Sequence, residues 1–301
     1  KTPIHPWNIP NLPERFSLSI KTDDITGSTL SGNKVRKLEF LLADALNNEC
    51  DTIFTCGGVQ SNHFRATVIA ARQLGLDCYL FLRSSEQQDN LCPLMIHDNL
   101  WVETTRHCHT ENHQRLKDLP CQEGWAGKGK QQGSSVYLIE IGGSSYTGMF
   151  GYLTAFQEMI EQNVLEDYDD IVVTVGSGGT ASGIAIGNYL TGSKLKCHAV
   201  NVSDSAAYFY NKINEDLRTW GIDVRAEDIM EEDMVYIIDG YKGGGYGVLT
   251  QHKLENIIEI SRTTGILVDP VYNIQAIRGM LTGMKNNPGR LKGKRILYIH
   301  T

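Results

Sequence analysis

The first candidate for chemistry is Lys34, which lies at the predicted start of a helix within residues 31–40. The positive end of the helix dipole disfavours a cation there, so the pKa of the amine is expected to be lowered. A less basic amine is what Schiff-base formation with a carbonyl compound requires. Lys37 follows one turn later on the same face, where it can reach a phosphate group. The alternative for both lysines is an ordinary solvated surface charge.

A glycine-rich turn at residues 174–183 is the strongest local signal for a bound anion. It follows an apolar run and precedes a helix rich in alanine, isoleucine and glycine. Glycines bring main-chain N–H groups close to an anion, and the helix N-terminus adds a favourable dipole. Ser177 and Thr180 add hydroxyl donors beside Gly178 and Gly179. The pattern predicts a phosphate site, with a tight turn that binds nothing as the alternative.

The same turn also fits a dinucleotide-binding fingerprint, because Gly176, Gly178 and Ala181 have the required spacing. In that motif an acidic residue follows about 20 positions later, at the end of a strand. The acidic candidate Asp204 comes later than that. A nicotinamide-dependent oxidoreductase is therefore kept as an alternative from a different class of enzyme.

A third polar group, Ser61, Asn62 and His63, follows two glycines at the end of a predicted strand. Ser61 or Asn62 is an ordinary residue for capping a helix. Exposed N–H groups and the Ser61 hydroxyl can equally grip a substrate carboxylate. His63 is a candidate acid or base, although a lone histidine is more often structural. Both interpretations of this segment stay open.

Two tyrosines lie beside turn-forming residues. Tyr246 is surrounded by glycines at 243–247, and Tyr272 follows Asp269 and Pro270 at a predicted junction between a strand and a helix. Such positions can present a ring to a cleft, or each can be a turn with an incidental aromatic residue. Neither segment is specific alone.

Charge and cysteine content exclude several other classes of protein. The formal net charge of −7 over 301 residues argues against nucleic acid or an anionic membrane as the main partner. The seven cysteines are an odd set without a CxxC pair, which favours free thiols in a reducing compartment such as the cytoplasm. No metal site is predicted. Because the sequence opens at Lys1 rather than at a methionine, an organellar targeting segment stays an open alternative.

Predicted strands and helices alternate along most of the chain. Strands are predicted at residues 52–56, 78–82, 136–141, 170–175, 197–202, 234–238 and 295–300. Helices are predicted at residues 34–46, 61–74, 148–162, 180–190 and 250–264. This alternation predicts an α/β protein with parallel sheets and helices on both faces. Residues 84–134 show no clear pattern.

Taken together, five ordered segments are similar to the family of 1-aminocyclopropane-1-carboxylate deaminases and D-cysteine desulfhydrases. The segments are residues 22–27, 32–40, 56–62, 269–272 and 298–301. The resemblance covers most of the chain in order, apart from residues 84–134. It implies a pyridoxal-phosphate enzyme with two three-layer domains of the tryptophan-synthase-β type. A large cofactor-binding domain is expected at residues 1–44 and 148–301, with a small domain at 45–147. A homodimer is also expected.

The resemblance assigns roles to individual residues by motif position. Lys34 would carry pyridoxal phosphate as a Schiff base and remove the α-proton of the substrate. The expected catalytic residues are Lys34, Ser61, Tyr246 and Tyr272. The expected cofactor contacts are Lys34, Lys37, Asn62, Ser177, Gly178, Gly179, Thr180, Asn273 and Thr301. The expected substrate contacts are Asn33, Ser61, Asn62 and His63.

Two positions bear on the reaction. The deaminase branch has a glutamate near the pyridine nitrogen where this chain has Asn273, and a leucine where this chain has Thr301. A neutral amide strengthens the electron sink of the ring less than a carboxylate does, although it can still form a hydrogen bond to the nitrogen. Expelling a β leaving group needs less delocalisation than opening a cyclopropane ring, so β-elimination from D-cysteine is favoured.

Other activities are kept as alternatives. Desulfhydrases of the family share the final threonine but more often have a small hydroxyl residue at position 273, and His63 replaces a glutamine of the deaminases. The substrate can therefore be the cyclopropane amino acid or another β-substituted amino acid. A homologue that binds pyridoxal phosphate without catalysis is a further alternative.

Overall fold

A computed structural model describes residues 1–27, 32–58, 61–83, 134–222, 235–244 and 248–301. The chain divides into two compact units. Unit one comprises Lys1–Thr26 and Tyr152–Thr301, and unit two comprises Gly27–Gly151. The helix that carries Lys34 belongs to unit two, and the domain boundaries that the resemblance implies at residues 44 and 147 stay a prediction.

Strands and helices alternate along the described residues. In chain order, the strands are β1 (Ile4–Pro6), β2 (Ser17–Thr22), β3 (Thr52–Gly58), β4 (Asp77–Arg83), β5 (Val136–Ile139), β6 (Asp170–Val175), β7 (Lys196–Asn201), β8 (Val235–Ile238) and β9 (Arg295–His300). The helices are α1 (Lys34–Asn47), α2 (Asn62–Gln73), α3 (Tyr146–Ile160), α4 (Val164–Asp167), α5 (Gly179–Leu190), α6 (Ala206–Thr219), α7 (Gln251–Thr264) and α8 (Asn273–Asn286). Short 3-10 turns lie at Asp23–Ile25, Ile141–Gly143 and Pro288–Arg290.

Unit one contains a six-stranded sheet in the order β1-β2-β9-β6-β7-β8. The pairing of β1 with β2 is antiparallel, and the other neighbours are parallel. Every residue of β6 is buried, as is typical of strands covered on both faces. In such sheets ligands bind beyond the carboxyl ends of the strands, so the turn after β6 and the residue after β9 are placed where a site is expected.

The core of unit one is built on the sheet and on α8. Ile274, Ile277 and Met280 of α8 are buried in one cluster with residues of β2, β6, β7 and β9. Their spacing of three residues gives the apolar face of a helix that packs on a sheet. In the same cluster the rings of Trp7 and Tyr298 lie 5.5 Å apart.

Unit two contains a three-stranded parallel sheet in the order β4-β3-β5. Leu38, Leu41, Leu42 and Ala45 of α1 are buried in one cluster with Ile53 of β3. Their spacing of three, four and seven residues defines the apolar face of α1. This packing fixes α1, and with it the start of the helix at Lys34.

The predicted α/β class with mostly parallel sheets is confirmed. β6 and β9 have the bounds that the sequence predicts, whereas β1, β2 and α6 were missed. β1 has only three residues, too few to show an alternating pattern. Residues 84–133, most of the segment without a clear pattern, lie outside the described residues, as does Met234 of the predicted strand 234–238.

Candidate active site

Lys34 is the first residue of α1, after Gly32 with a φ of 98°. The preceding Asn33 forms no side-chain cap on the helix, and the first turn contains no acidic residue. Burial lowers the pKa of the Lys34 amine from 10.5 to about 8. The direction is the one expected from the sequence, but the cause is desolvation of the amine. Lys34 can therefore supply a neutral amine at mildly alkaline pH.

Lys37 is buried one turn after Lys34. Its Nζ donates a hydrogen bond to the main-chain oxygen of Gly142 at 3.1 Å. Close packing surrounds this turn of α1, because a Cβ at Gly151 would collide with the carbonyl oxygen of Arg36. The main-chain oxygen of Gly142, in the 3-10 turn at Ile141–Gly143, thus holds the Lys37 amine in unit two.

His63 is buried on α2, and both of its ring nitrogens have partners. Thr55 Oγ1 donates to the main-chain oxygen of Ile139 at 2.8 Å and lies 2.9 Å from His63 Nε2. The single proton of that hydroxyl is thus used, so His63 Nε2 must donate and Nδ1 accepts from Thr67 Oγ1 at 3.4 Å. Desolvation lowers the pKa of His63 well below 6.5, and the charges of Lys34 and Lys37 lower it further. The ring is a neutral, hydrogen-bonded part of the core.

Ser61 caps α2, as one of the two interpretations of its segment proposes. Its Oγ accepts a hydrogen bond from the main-chain N–H of Phe64 at 3.4 Å. Asn62 begins the helix and is exposed. A long capping bond leaves the half-buried Ser61 hydroxyl able to donate to a carboxylate, so the capping role and the proposed substrate role are compatible.

The glycine turn of unit one connects the end of β6 to the start of α5. Gly178 has a φ of 98° and a ψ of −44°, which only glycine adopts without strain. Ser177 is half-buried, and Thr180 is buried in the first turn of α5. A Cβ at Gly178 would lie 3.2 Å from Cδ of Lys212. The turn thus has the backbone shape and the helix N-terminus that a phosphate group needs.

Lys212 is a charged residue at this turn that the sequence did not reveal. It is buried on α6, and its Nζ lies 3.4 Å from Asp216 Oδ1. Burial raises the pKa of Asp216, and the charge of Lys212 opposes that shift. The sequence shows that Lys212 and Asp216 share the apolar face of α6, because they stand three and seven residues after Phe209, but it does not show the contact with Gly178.

Tyr272 and Asn273 lie at the start of α8. A Cβ at Gly176 would lie 3.0 Å from Cε1 of Tyr272, so this ring lies against the glycine turn. The buried Asn273 side chain contacts main-chain atoms of Thr301, the residue after β9. In unit one, the carboxyl ends of β6 and β9 therefore lie beside four features: Tyr272, Asn273, Thr301 and the glycine turn at residues 176–180. Tyr246 lies outside the described residues.

The family of pyridoxal-phosphate dependent enzymes matches residues 1–301, and the chain belongs to it. Of the two cofactors considered, the family is that of pyridoxal phosphate and not of a nicotinamide dinucleotide. The chain is thus a pyridoxal-phosphate-dependent lyase. The predicted family resemblance and cofactor are confirmed.

Similar proteins agree with this assignment. A mitochondrial bifunctional D-cysteine desulfhydrase/1-aminocyclopropane-1-carboxylate deaminase of Arabidopsis thaliana is 39% identical over 100% of this chain and 75% of its own length. A putative 1-aminocyclopropane-1-carboxylate deaminase of Thermotoga maritima is 36% identical over 95% of this chain and 88% of its own length. The crystal structure of an ACC deaminase homologue is 33% identical, covers 100% of this chain and 89% of that one, and has a TM-score of 0.83.

The described residues fit pyridoxal phosphate by their own chemistry. The cofactor needs a lysine whose amine can become neutral, and the desolvated Lys34 is one. It also needs a cradle for a phosphate group, and the turn at Gly178 leads its backbone into a helix N-terminus.

Proposed function

We propose that this lyase carries out β-elimination on a small amino acid, with D-cysteine as substrate and pyruvate, ammonia and sulfide as products. The observation that supports elimination is the neutral Asn273 at the position where the deaminase branch has a carboxylate. Relatives named for D-cysteine desulfhydrase activity, in Arabidopsis thaliana and in Serratia proteamaculans, support the substrate. The deamination of 1-aminocyclopropane-1-carboxylate is the second candidate, and relatives named for that activity favour it.

Lys34 is proposed as the attachment point of the cofactor and as the base. When bound, pyridoxal phosphate supplies an electron sink for the pair left at the substrate Cα. With a pKa of about 8, the Lys34 amine is neutral often enough near pH 8 to take the α-proton. A solvated lysine with its ordinary pKa would be protonated almost completely at that pH.

The remaining proposed contacts divide by chemical type. Ser177, Gly178, Gly179 and Thr180 would hold the phosphate, and Lys37 keeps its predicted role as a cofactor contact. Ser61, Asn62 and Asn33 would bind the substrate carboxylate and the oxygen of the cofactor ring. Tyr272 or Tyr246 would steer or protonate the leaving sulfur. Asn273 and Thr301 would be further contacts of the cofactor.

The substrate is tested by product analysis of the purified protein. D-cysteine, L-cysteine, β-chloro-D-alanine and 1-aminocyclopropane-1-carboxylate are each incubated with it, and pyruvate, 2-oxobutyrate and sulfide are measured. D-cysteine is expected to give equal amounts of pyruvate and sulfide. If only the cyclopropane acid reacts, giving 2-oxobutyrate, the elimination proposal is wrong. A coloured protein that forms no product from any of them would refute catalysis on this substrate class.

The attachment point is tested independently of the substrate. Borohydride reduction of the coloured protein, followed by peptide mapping, is expected to place the label on Lys34. A label on any other lysine would refute this assignment. The variant K34A is expected to reduce turnover by about 10²–10⁴-fold, the usual contribution of a positioned acid or base.

A homodimer in the cytoplasm is proposed for the assembly and location. The described Cys50, Cys56, Cys78 and Cys197 are free thiols, in keeping with a reducing compartment. Within the described part of the chain, no helix is both long and apolar enough to cross a membrane. Sedimentation equilibrium tests the dimer, and a monomeric mass at micromolar concentration would refute it.

A further inference from the structure

The side-chain amide of Asn273 is fully used by protein groups. Its Nδ2 donates to Asp269 Oδ2 at 2.7 Å and to the main-chain oxygen of Thr301 at 2.6 Å. Its Oδ1 accepts from the Tyr298 hydroxyl at 2.8 Å and from the main-chain N–H of Thr301 at 3.4 Å. Two donors and two lone pairs are the whole capacity of an amide. Asn273 therefore has none left for the nitrogen of a cofactor ring.

The orientation of this amide is determined by its partners. A carboxylate only accepts hydrogen bonds, so the Asn273 atom that faces Asp269 must be the nitrogen. The main-chain oxygen of Thr301 also only accepts and requires the same nitrogen. The opposite orientation would put an oxygen against two acceptors, so rotating the amide cannot free a donor for a ligand.

Asp269 fixes this end of the network. Its carboxylate accepts main-chain hydrogen bonds from Val271 at 2.9 Å, Tyr272 at 2.6 Å and Asn273 at 2.8 Å, in addition to the Asn273 amide. Four donors hold the turn that leads into α8 and compensate the negative charge. The start of α8 is thus a fixed support for Asn273.

The other end of the network is the sheet. Tyr298 belongs to β9 and is completely buried, and its hydroxyl also lies 3.3 Å from the main-chain oxygen of Asn273. Only main-chain atoms of Thr301 take part in these contacts with Asn273. The amide therefore joins the start of α8 to the end of β9 and sets the backbone from which the Thr301 side chain extends.

We infer that Asn273 is a positioning residue that holds the backbone of Thr301, and that it does not itself contact the cofactor ring. This inference rests on the proposed role of Thr301 as a cofactor contact. It also gives a structural reason for a neutral group at position 273, because a carboxylate there would face both Asp269 and the Thr301 oxygen.

A double-mutant cycle on the holoprotein tests the inference. The variants are N273A, T301V and the double variant. Asn286 is an exposed residue of the same helix, and N286D and N286A are the matched controls. The dissociation constant for pyridoxal phosphate is measured by absorbance titration. N273A and T301V are each expected to weaken binding roughly tenfold, the effect of one lost hydrogen bond to a buried group. The double variant is expected to bind about as weakly as either single variant, because both changes remove one interaction.

Direct contact between Asn273 and the ring predicts a different outcome. The two losses would then multiply to about a hundredfold in the double variant. N273D, which offers a carboxylate, would bind the cofactor as well as wild type and would shift its visible absorption maximum. Either result overturns the inference. If N273D instead weakens binding as N273A does, without a shifted maximum, the positioning role is supported.

A measurement on the cofactor-free protein separates this inference from the proposed function. Hydrogen exchange at the Thr301 main-chain N–H is compared between wild type, N273A and N286A. N273A is expected to speed exchange by about tenfold or more, and N286A is expected to leave it unchanged. Equal exchange in all three proteins overturns the positioning role. If wild type binds no pyridoxal phosphate but exchange responds as expected, the proposed function fails and the positioning of Thr301 stands.

Discussion

Lys34 is half-buried and its amine is desolvated, and this makes the stability of the cofactor-free protein depend on pH. Its pKa is about 8 in the folded protein and 10.5 for an ordinary lysine, so folding releases a proton between these values. Below pH 8 the charged amine lowers the free energy of unfolding by its full amount. This destabilisation decreases above pH 8 and disappears as the pH rises through 10.5. We expect K34M to be more stable than wild type at pH 7, with a difference that shrinks from pH 8 to 10.5.

Urea unfolding of both cofactor-free proteins at pH 7, 9 and 10 measures that difference. K285M, at an exposed lysine on α8, is the control and should follow the wild-type pH dependence. A K34M difference that stays constant over this range would show that the Lys34 amine has its ordinary pKa.

His63 shows how burial changes the role of a histidine. Its ring is neutral because desolvation and the charges of Lys34 and Lys37 lower its pKa well below 6.5. We expect H63A to lower the free energy of unfolding by about 2 kcal/mol, because Thr55 and Thr67 lose their partner in the core. H63Q should cost less, since its amide can still donate to Thr55.

The pH profile of kcat/KM between pH 5 and 7.5 decides between a structural and a catalytic His63. With the structural role, H63Q keeps the shape of the wild-type profile. Loss of one limb of the profile in H63Q would instead identify His63 as an acid or base.

The turn between β6 and α5 depends on one glycine. In G178A the new Cβ meets Lys212 and the φ of 98° becomes strained, so we expect a loss of about 1–3 kcal/mol in stability. Because the turn shape is lost, affinity for pyridoxal phosphate should fall at least tenfold, as measured by absorbance titration.

The matched control lies at the other end of α5. Gly192 has a φ of 64° and nothing within 4 Å of an added Cβ. G192A should therefore carry backbone strain without loss of cofactor affinity. Equal affinity losses in both variants would mean that general destabilisation, rather than the phosphate turn, controls binding.

The sequence predicted elements well where the signal is local. The apolar run and the glycines that follow it predicted β6 and the turn before α5, and the sequence also predicted β9 and a helix that starts at Lys34. Lys212 was missed because a helical lysine is usually solvated, and only the fold places it beside Gly178. The network of Asn273 involves Tyr298 and Thr301, which are 25 and 28 residues away in sequence. Such contacts require the tertiary structure, so the sequence predicted a polar residue at the site but not what it contacts.

At the scale of the whole molecule, β9 holds unit one together. It pairs with β2 on one side and β6 on the other, and thus joins the two chain segments of the unit. We expect L297A to cost about 2–5 kcal/mol, as for other completely buried leucines, and to reduce hydrogen-exchange protection in β2 and β6 together.

Leu267 provides the control because it is 82% exposed. L267A should leave both stability and protection close to wild type. If L297A lowers protection in β6 but leaves β2 unchanged, the two segments are not coupled through β9.

The central place of β9 also bears on how the protein is made. Residues 295–300 leave the ribosome last among the described strands, yet they occupy the gap between β2 and β6. Until then the nascent chain has two unpaired strand edges, which are templates for association with other chains. The residue that follows β9, Thr301, is proposed to contact the cofactor, so the binding site and the sheet are completed by the same late event. Newly synthesised chains should therefore depend on chaperones until residues 295–301 have emerged, and become competent to bind pyridoxal phosphate only then.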